Sequence, residues 1–548
     1  MAIRIDQFKG IKPLIAANLL GNDEAQVANN CLLDTGSVRP VRGLTSVNTP
    51  TKVGTKRSIY LFDSAYWFHW LEDVDCVRGP VPGDAFHRTY WTGEGVPKMS
   101  YSPFAVTGGT NYPANSYTLG LPAPANTTTF VISGIPTSTD PLMGETWSYV
   151  ITFVSGVGEE STPSLPTATQ DRQPGQTATL SNIPICADAA LNVTSKRIYR
   201  RATGSTGGEW LLVNTISNAT VTYIDSTDTV HLSVVTLASS TWDAPPADLS
   251  GLITLPGGSI AGFRGNEWCS SVPYMPHAWP VGQRITTDMP IVSHGSFGSS
   301  VLVTTTGRPY ILTGLDPANM SVEKAEIGYS CVSKRGTVDM GTYVAYPSNE
   351  GLIIVGTGIA KNATIDIYGI DAWKAMNPSS MEAWNYKGSY VCFYNNGSPG
   401  AFMIDPLTGI CQTLTGITAT AGYNDPISGN LYLQVGSDIC QFNGNPATPL
   451  TLTWRSKPFR MLTPLRYSCG QVFADSYPLS MNIYADGTLV HAQTVSSNAP
   501  FRMRTGTIRS ITWTIEVIGT ATINSVYIAP SLERLSSVST QAQYSRNY

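Results

Sequence analysis

The clearest apolar runs in this chain alternate with a period of two, which is the signature of strands with one buried face. Trp147, Tyr149, Ile151 and Phe153 interleave with Ser148, Val150, Thr152 and Val154, and Ile511, Trp513, Ile515 and Val517 interleave with Thr512, Thr514, Glu516 and Ile518. Ile59, Tyr60 and Phe62, then Tyr66, Trp67, Phe68, His69 and Trp70, predict an aromatic hairpin turning at Asp63-Ser64, which needs cover from the rest of the chain. Only residues 23–31 suggest a helix, with Asn22 or Asp23 as its cap. The remainder of residues 1–50 is extended and irregular and reads as an arm that packs on another part of the protein.

Between 144 and 228 the alternation continues through strands predicted at 177–183, 196–200, 209–216 and 220–225, separated by Gly, Asn and Ser. Such spacing makes a β-sandwich. With its G-x-E-S-x-P turn at 158–163 and the run RIYR at 197–200, the block resembles a fibronectin type III-like domain. The Pro-rich stretches LPAPA (121–125) and APPA (244–247) bound it, so it is expected to be a self-contained insertion on an outer surface. Beyond it, hairpin-like units open on Gly258, Gly298, Gly341, Gly388 and Gly429, spaced 40, 43, 47 and 41 residues apart. A four-stranded propeller blade repeats every ~40–45 residues. Asp316-Pro317, Asn377-Pro378, Asp405-Pro406 and Asp425-Pro426 punctuate the same region as turns. The last unit is only half a blade, and the hairpin region 54–100 is expected to complete it, giving five or six blades. Strands at 471–475, 480–486, 510–519 and 525–530 predict a C-terminal sandwich of jelly-roll type.

The fold expected is therefore all-β: a β-propeller with an inserted fibronectin type III-like sandwich and a C-terminal β-sandwich. The divisions are an arm or platform (1–50), a first part of the propeller (51–125), the insertion (126–245), the remaining propeller (246–450), the C-terminal sandwich (451–535) and a polar, mobile tail (536–548).

Composition narrows the function. Of 548 residues only 13% are charged, about half the usual share. Ser, Thr and Asn must cover the surface, or much of it is buried against other subunits. The net charge is −4, with Lys and Arg scattered, which argues against tight binding of nucleic acid. Nine cysteines, Cys31, Cys76, Cys186, Cys269, Cys331, Cys392, Cys411, Cys440 and Cys469, contain no C-x-x-C pair and read as small buried groups in a reducing compartment. The opening MAIRIDQFKG has no apolar signal core, and no run approaches the ~18 apolar residues of a membrane span.

The candidate chemistry is sparse. Glu72, Asp73, Asp75 and Asp84 are a conceivable glycosidase set, but acids of a solvated loop are the simpler reading. His69 and His277 sit among aromatic and Pro residues as structural histidines, and His87, His231, His294 and His491 show no metal-ligand spacing. The stretch GTGIAKNAT (356–364) lacks phosphate-loop spacing. No catalytic, cofactor or metal residue is expected.

Four segments carry a resemblance to a known family. They are 8–43 (FKGIKPLIAANLLGNDEAQVANNCLLDTGSVRPVRG); 66–84 with 88–100 (YWFHWLEDVDCVRGPVPGD, RTYWTGEGVPKMS); 274–280, 287–292 and 306–314 (YMPHAWP, TDMPIV, TGRPYILTG); and 331–341 with 346–356 (CVSKRGTVDMG, YPSNEGLIIVG), continued by W-x-x-x-NPSS at 373–380. In this order they resemble the tail nozzle proteins of podophages, the tail tubular protein B family, which are often larger. The resemblance implies a structural, non-enzymatic virion subunit assembled in the bacterial cytoplasm. It implies a homohexameric ring, docked to the tail adaptor and carrying fibres or spikes, through which duplex DNA passes without tight binding. The arm and the C-terminal sandwich are expected together at the adaptor. The alternative is a carbohydrate-active or receptor-binding propeller with Trp67, Trp70, Trp91 and Trp279 as stacking platforms.

Overall fold

The computed structural model describes residues 2–203 and 208–535, so the tail expected at 536–548 lies outside the described residues. The protein is all-β: its described helical elements are single turns, apart from the five-residue helix Ile370–Lys374. Two compact units divide the chain. The first holds Met1–Ile59, Val292–Tyr310 and Lys324–Tyr548, the second Tyr60–Ile291 and Ile311–Glu323.

Four-stranded sheets whose strands follow chain order recur along the sequence, the make-up of propeller blades. In the second unit they are Asp75–Arg78, Thr89–Thr92, Lys98–Ser100 and Tyr117–Thr118, then Ser250–Thr254, Ile260–Arg264, Glu267–Ser270 and Ile285–Thr286. Next in sequence are Ile291–Phe297, Ser300–Thr305, Tyr310–Thr313 and Ser321–Lys324. In the first unit Val338–Asp339, Tyr343–Ser348, Gly351–Gly356 and Ile359–Asn362 form one sheet, and Glu382–Tyr386, Ser389–Asn395, Pro399–Ile404 and Cys411–Leu414 form a four-stranded run. The five glycines of the repeat each stand in the turn between the first and second strands of one of these groups, with φ of 82°, 55°, 88°, 85° and 69° in chain order. A side chain at such φ crowds its own backbone, which is why the period is written in glycine.

The last group differs from expectation. Ala421–Asn424, Leu431–Val435 and Asp438–Asn445 are completed by Gly43–Asn48 of the arm, not by the aromatic hairpin. The hairpin, Ser58–Phe62 and Tyr66–Trp70, forms its own two-stranded sheet, turning through Asp63 and Ser64 with φ of 52° and 53°. Phe62 stacks on Phe68 at 4.6 Å and Trp70 meets Trp91 at 5.8 Å, so the cover comes from strand Thr89–Thr92.

The helix expected at 23–31 is absent. Ala25–Asn29 is a strand paired antiparallel with Leu452–Ser456, and Asn29 meets Thr413 in parallel register. A short segment with two buried alanines gains more from two neighbouring strands than from one isolated helical turn. Ile3–Ile5 likewise joins Ile523–Ala529, which pairs with Cys469–Ala474. Opposite it, Ser510–Gly519 lies between Leu452–Ser456 and Leu479–Ala485. Val472, Ile483, Ile515, Val517, Val526 and Ile528 share one core with Phe8, Ala28 and Cys31. The arm is thus built into the C-terminal sandwich.

The insertion is two sheets around Phe130, Trp147, Tyr149, Ile151, Leu180 and Ile198. One is Thr129–Ser133, Thr177–Ser181 and Tyr223–Asp225; the other is Gln170–Arg172, Glu145–Ser155, Val193–Thr203 and Leu211–Ser217. Its first strand begins before 144, so the core alternation is not complete within 144–228. The open edge of Glu145–Ser155 is closed without a strand. Ser161, Ser164 and Thr167 each donate a backbone N–H to the carbonyls of Phe153, Ile151 and Tyr149. Their hydroxyls accept the N–H groups of the same three residues at 2.9–3.0 Å. Pro163 and Pro166 lack N–H groups, so this segment offers little for a further strand to pair with.

Candidate functional site

Three of the four carboxylates singled out in the sequence accept backbone N–H groups. Glu72 accepts the N–H of Leu71 at 3.1 Å, Asp75 that of Gly251 at 3.1 Å, and Asp84 those of Phe86 at 3.1 Å and Arg88 at 3.0 Å. Glu72 and Asp84 hold local turns, Asp75 reaches the strand Ser250–Thr254, and Asp73 lies in the loop between Tyr66–Trp70 and Asp75–Arg78. His69 bridges the Trp67 carbonyl at 3.2 Å and Asn111 Oδ1 at 3.3 Å, and His87 pairs with Asp63 at 2.9 Å. Trp67, Trp70, Trp91 and Trp279 are all buried, so none offers a ring face to a sugar. Of the cysteines, seven are buried and Cys76 and Cys186 partly so; burial pushes the Cys269 thiol up to about 11 and Cys411 up to about 12. Such thiols are inert. Among the described residues no three His, Cys, Asp or Glu side chains gather as a metal site would require.

Two polar clusters escaped sequence reasoning, because each joins residues far apart in the chain. In the insertion, Arg200 and Asp225 form a fully buried pair at 2.5 Å, with Tyr149 Oη donating to the same Asp225 oxygen at 2.8 Å. The Arg200 guanidinium lies 3.7 Å from the Trp147 ring centroid and Arg172 lies 4.7 Å from it. Arg200 Nε is buried without a hydrogen-bond partner, but the pair joins a strand of one sheet to a strand of the other and so locks the two sheets together.

The second cluster surrounds Arg88, on the sheet that begins at Asp75. Burial pushes the Glu159 carboxyl up to about 7, with Arg88 pulling it back, and burial with Arg88 beside it lowers His277 to about 4. Glu159 Oε1, His277 Nε2 and Arg88 Nε are all buried without a hydrogen-bond partner. Glu159 belongs to the turn at 156–160, whose Val157 packs against the core cluster that contains Tyr90, Leu119 and Trp279. The cluster fastens the insertion to the neighbouring sheets.

The first unit also holds a cavity of about 610 Å³ lined by Arg42, Lys387, Asp405, Gln412 and Asp475. Asp405 accepts the N–H of Leu407 at 2.9 Å and Asp475 that of Thr522 at 2.8 Å. No described helix is long and apolar enough to cross a membrane.

No family model matches the chain, and no curated protein matches it. Among solved structures it is similar to the glutaminyl cyclase of Myxococcus xanthus, at 13% identity over 36% of this chain and 88% of that one, with a TM-score of 0.22. It is similar to BBS1N, solved in complex with ARL6DN, at 10% identity over 74% and 97% with a TM-score of 0.30. It is similar to apo AztD from Citrobacter koseri at 11% identity over 66% and 100% with a TM-score of 0.27.

Proposed function

We propose that this chain is the nozzle subunit of a short bacteriophage tail: a non-catalytic protein that forms a homohexameric ring, binds the tail adaptor and fibres, and passes duplex DNA through its centre. In this reading the four-stranded groups are six blades of one β-propeller, and the arm with the C-terminal sandwich is the platform. The observation that carries it is the order of the four nozzle-like segments, running from Phe8 to Ser380. Further support comes from a chain with 13% charged residues, too few to solvate a large monomer's surface in the usual way. Three of the six histidines, His69, His277 and His294, are buried, and Glu72, Asp75 and Asp84 accept backbone N–H groups, which favours a structural role over a catalytic one.

Sedimentation with negative-stain imaging of the purified chain tests this. Sixfold rings with a central hole are expected. A monomer or trimer that retains glycans would replace the reading with the carbohydrate-binding alternative.

A further inference from the structure

Among the described residues, the inserted sandwich has one end held and one end bare. Its turn at 156–160 is the held end, packed through Val157. At the opposite end the loops 134–144, 173–176 and 226–230 meet. Thr137 N–H donates to the Pro174 carbonyl at 2.7 Å, the Gln176 amide donates to the Gly134 carbonyl at 3.2 Å, and Arg172 pairs with Asp228 at 2.5 Å. From these tied loops Ile135, Leu142, Met143 and Val230 project with 89%, 93%, 59% and 76% of their surfaces exposed. Single exposed apolar residues are ordinary, but several gathered at one pole mark a contact surface.

The insertion carries an excess of negative charge, and the base at that pole, Arg172, is neutralised by Asp228. Residues 126–245 carry ten carboxylates against five bases, in a chain whose total is −4. All five bases are engaged: Arg172 with Asp228, Arg197 with Glu160 and Arg200 with Asp225. Lys196 donates to the Pro184 and Thr220 carbonyls, and Arg201 lies over the Trp210 ring. Asp140 and Asp171 are exposed beside the apolar side chains. An apolar tip with an acidic rim repels nucleic acid and anionic lipid and suits a protein surface with a basic rim.

This chain has such a surface on its C-terminal sandwich. Arg502, Arg504 and Arg509 are exposed and form no ion pair among the described residues. Leu489, Ile508 and Ile511 stand among them with 49%, 39% and 41% of their surfaces exposed. Arg504 N–H donates to His491 Nδ1 at 3.3 Å, which ties the arginine loop to the neighbouring hairpin. The carboxylate there, Asp486, is taken up by the N–H and hydroxyl of Thr512 at 3.1 and 2.8 Å.

We propose that the acid-rimmed pole of the insertion in one copy docks on the arginine-rimmed patch of a second copy. The two patches differ, so the contact is heterologous, the kind that generates a ring when its rotation closes. This inference rests on the ring reading above and names the surfaces that make the ring. Leu142 and Ile135 supply the apolar anchors, and Asp140 and Asp171 face Arg504 and Arg509.

The test uses the full chain in sedimentation velocity and imaging at about 0.15 M salt, where exposed charges closer than ~8 Å still interact. The variants are D140K/D171K, R504E/R509E, their combination, and L142S. All these side chains are exposed, and unchanged thermal unfolding shows that each variant folds. Each charge reversal alone and L142S should weaken association by about tenfold or more, and the combined reversal should recover it. Rings unaffected by either reversal, or a combination no better than the singles, would overturn the interface while leaving the ring reading standing. A wild-type monomer would overturn both.

Discussion

Gly341 and Gly388 show how much a single position carries. No heavy atom lies within 4 Å of a Cβ built at either, yet their φ values are 88° and 85°. Backbone conformation alone therefore demands glycine there, and Gly388→Ala should cost about 1–2 kcal/mol in denaturant unfolding. Gly282→Ala, equally uncrowded and without a positive φ, should be close to neutral. Glu159 sets a different constraint. Its carboxyl is raised to about 7 by burial, so the stability it contributes is complete below its ordinary 4.5 and is lost as pH rises through 7. His277, lowered to about 4, acts oppositely: its contribution is complete above 6.5 and is lost as pH falls toward 4. The charged group that acts on Glu159 is Arg88, which offsets the carboxylate's charge, and Tyr90 lies beside them both. Glu159→Gln should raise the melting temperature at pH 8 and leave it nearly unchanged at pH 5. A larger gain at pH 5 than at pH 8 would show that burial of charge is not what raises the group.

At the scale of elements, the arm shows a segment taking its structure from its neighbours. Phe8 is 1% exposed and meets Trp454 edge-on at 4.9 Å, while the Trp454 indole N–H donates to the Lys9 carbonyl at 3.0 Å. Truncation at such a site leaves a cavity, so Phe8→Ala should destabilise the first unit by about 3–5 kcal/mol, read as a lower denaturant midpoint. If midpoint and slope stay unchanged, the arm is a dispensable strap and not part of the core. The Ser161, Ser164 and Thr167 edge is a comparable case. Its sequence has no alternation to mark it as a strand, but its hydroxyls finish the hydrogen bonding of a buried one.

For the whole molecule the sign of the charge decides how a ring would treat DNA. Six copies at −4 each carry a formal −24, and the exposed arginines at 502, 504 and 509 are assigned above to the contact between copies. The proposed channel is therefore neutral to acidic, and it repels a duplex weakly without gripping it. Purified rings should retain duplex DNA poorly even at low salt. Salt-sensitive binding at submicromolar protein, mapped to the central hole, would reverse the sign of this argument.

What the sequence determined by itself is whatever is written in neighbouring residues. Alternation placed strands such as Glu145–Ser155 and Ser510–Gly519, paired αL positions placed the turn at Asp63-Ser64, and recurring glycines marked the first hairpin of successive sheets. These signals are local, because side-chain direction and the cost of a positive φ act within a few residues. The tertiary structure decided what depends on partners hundreds of residues away. It turned residues 25–29 into a strand between Leu452–Ser456 and Cys411–Leu414, brought Gly43–Asn48 to the last sheet, started the insertion at Thr129, and gathered Arg88, Glu159 and His277. A strand's pairing and a buried charge's environment are supplied by whatever packs against them, and the chain's own period does not encode that.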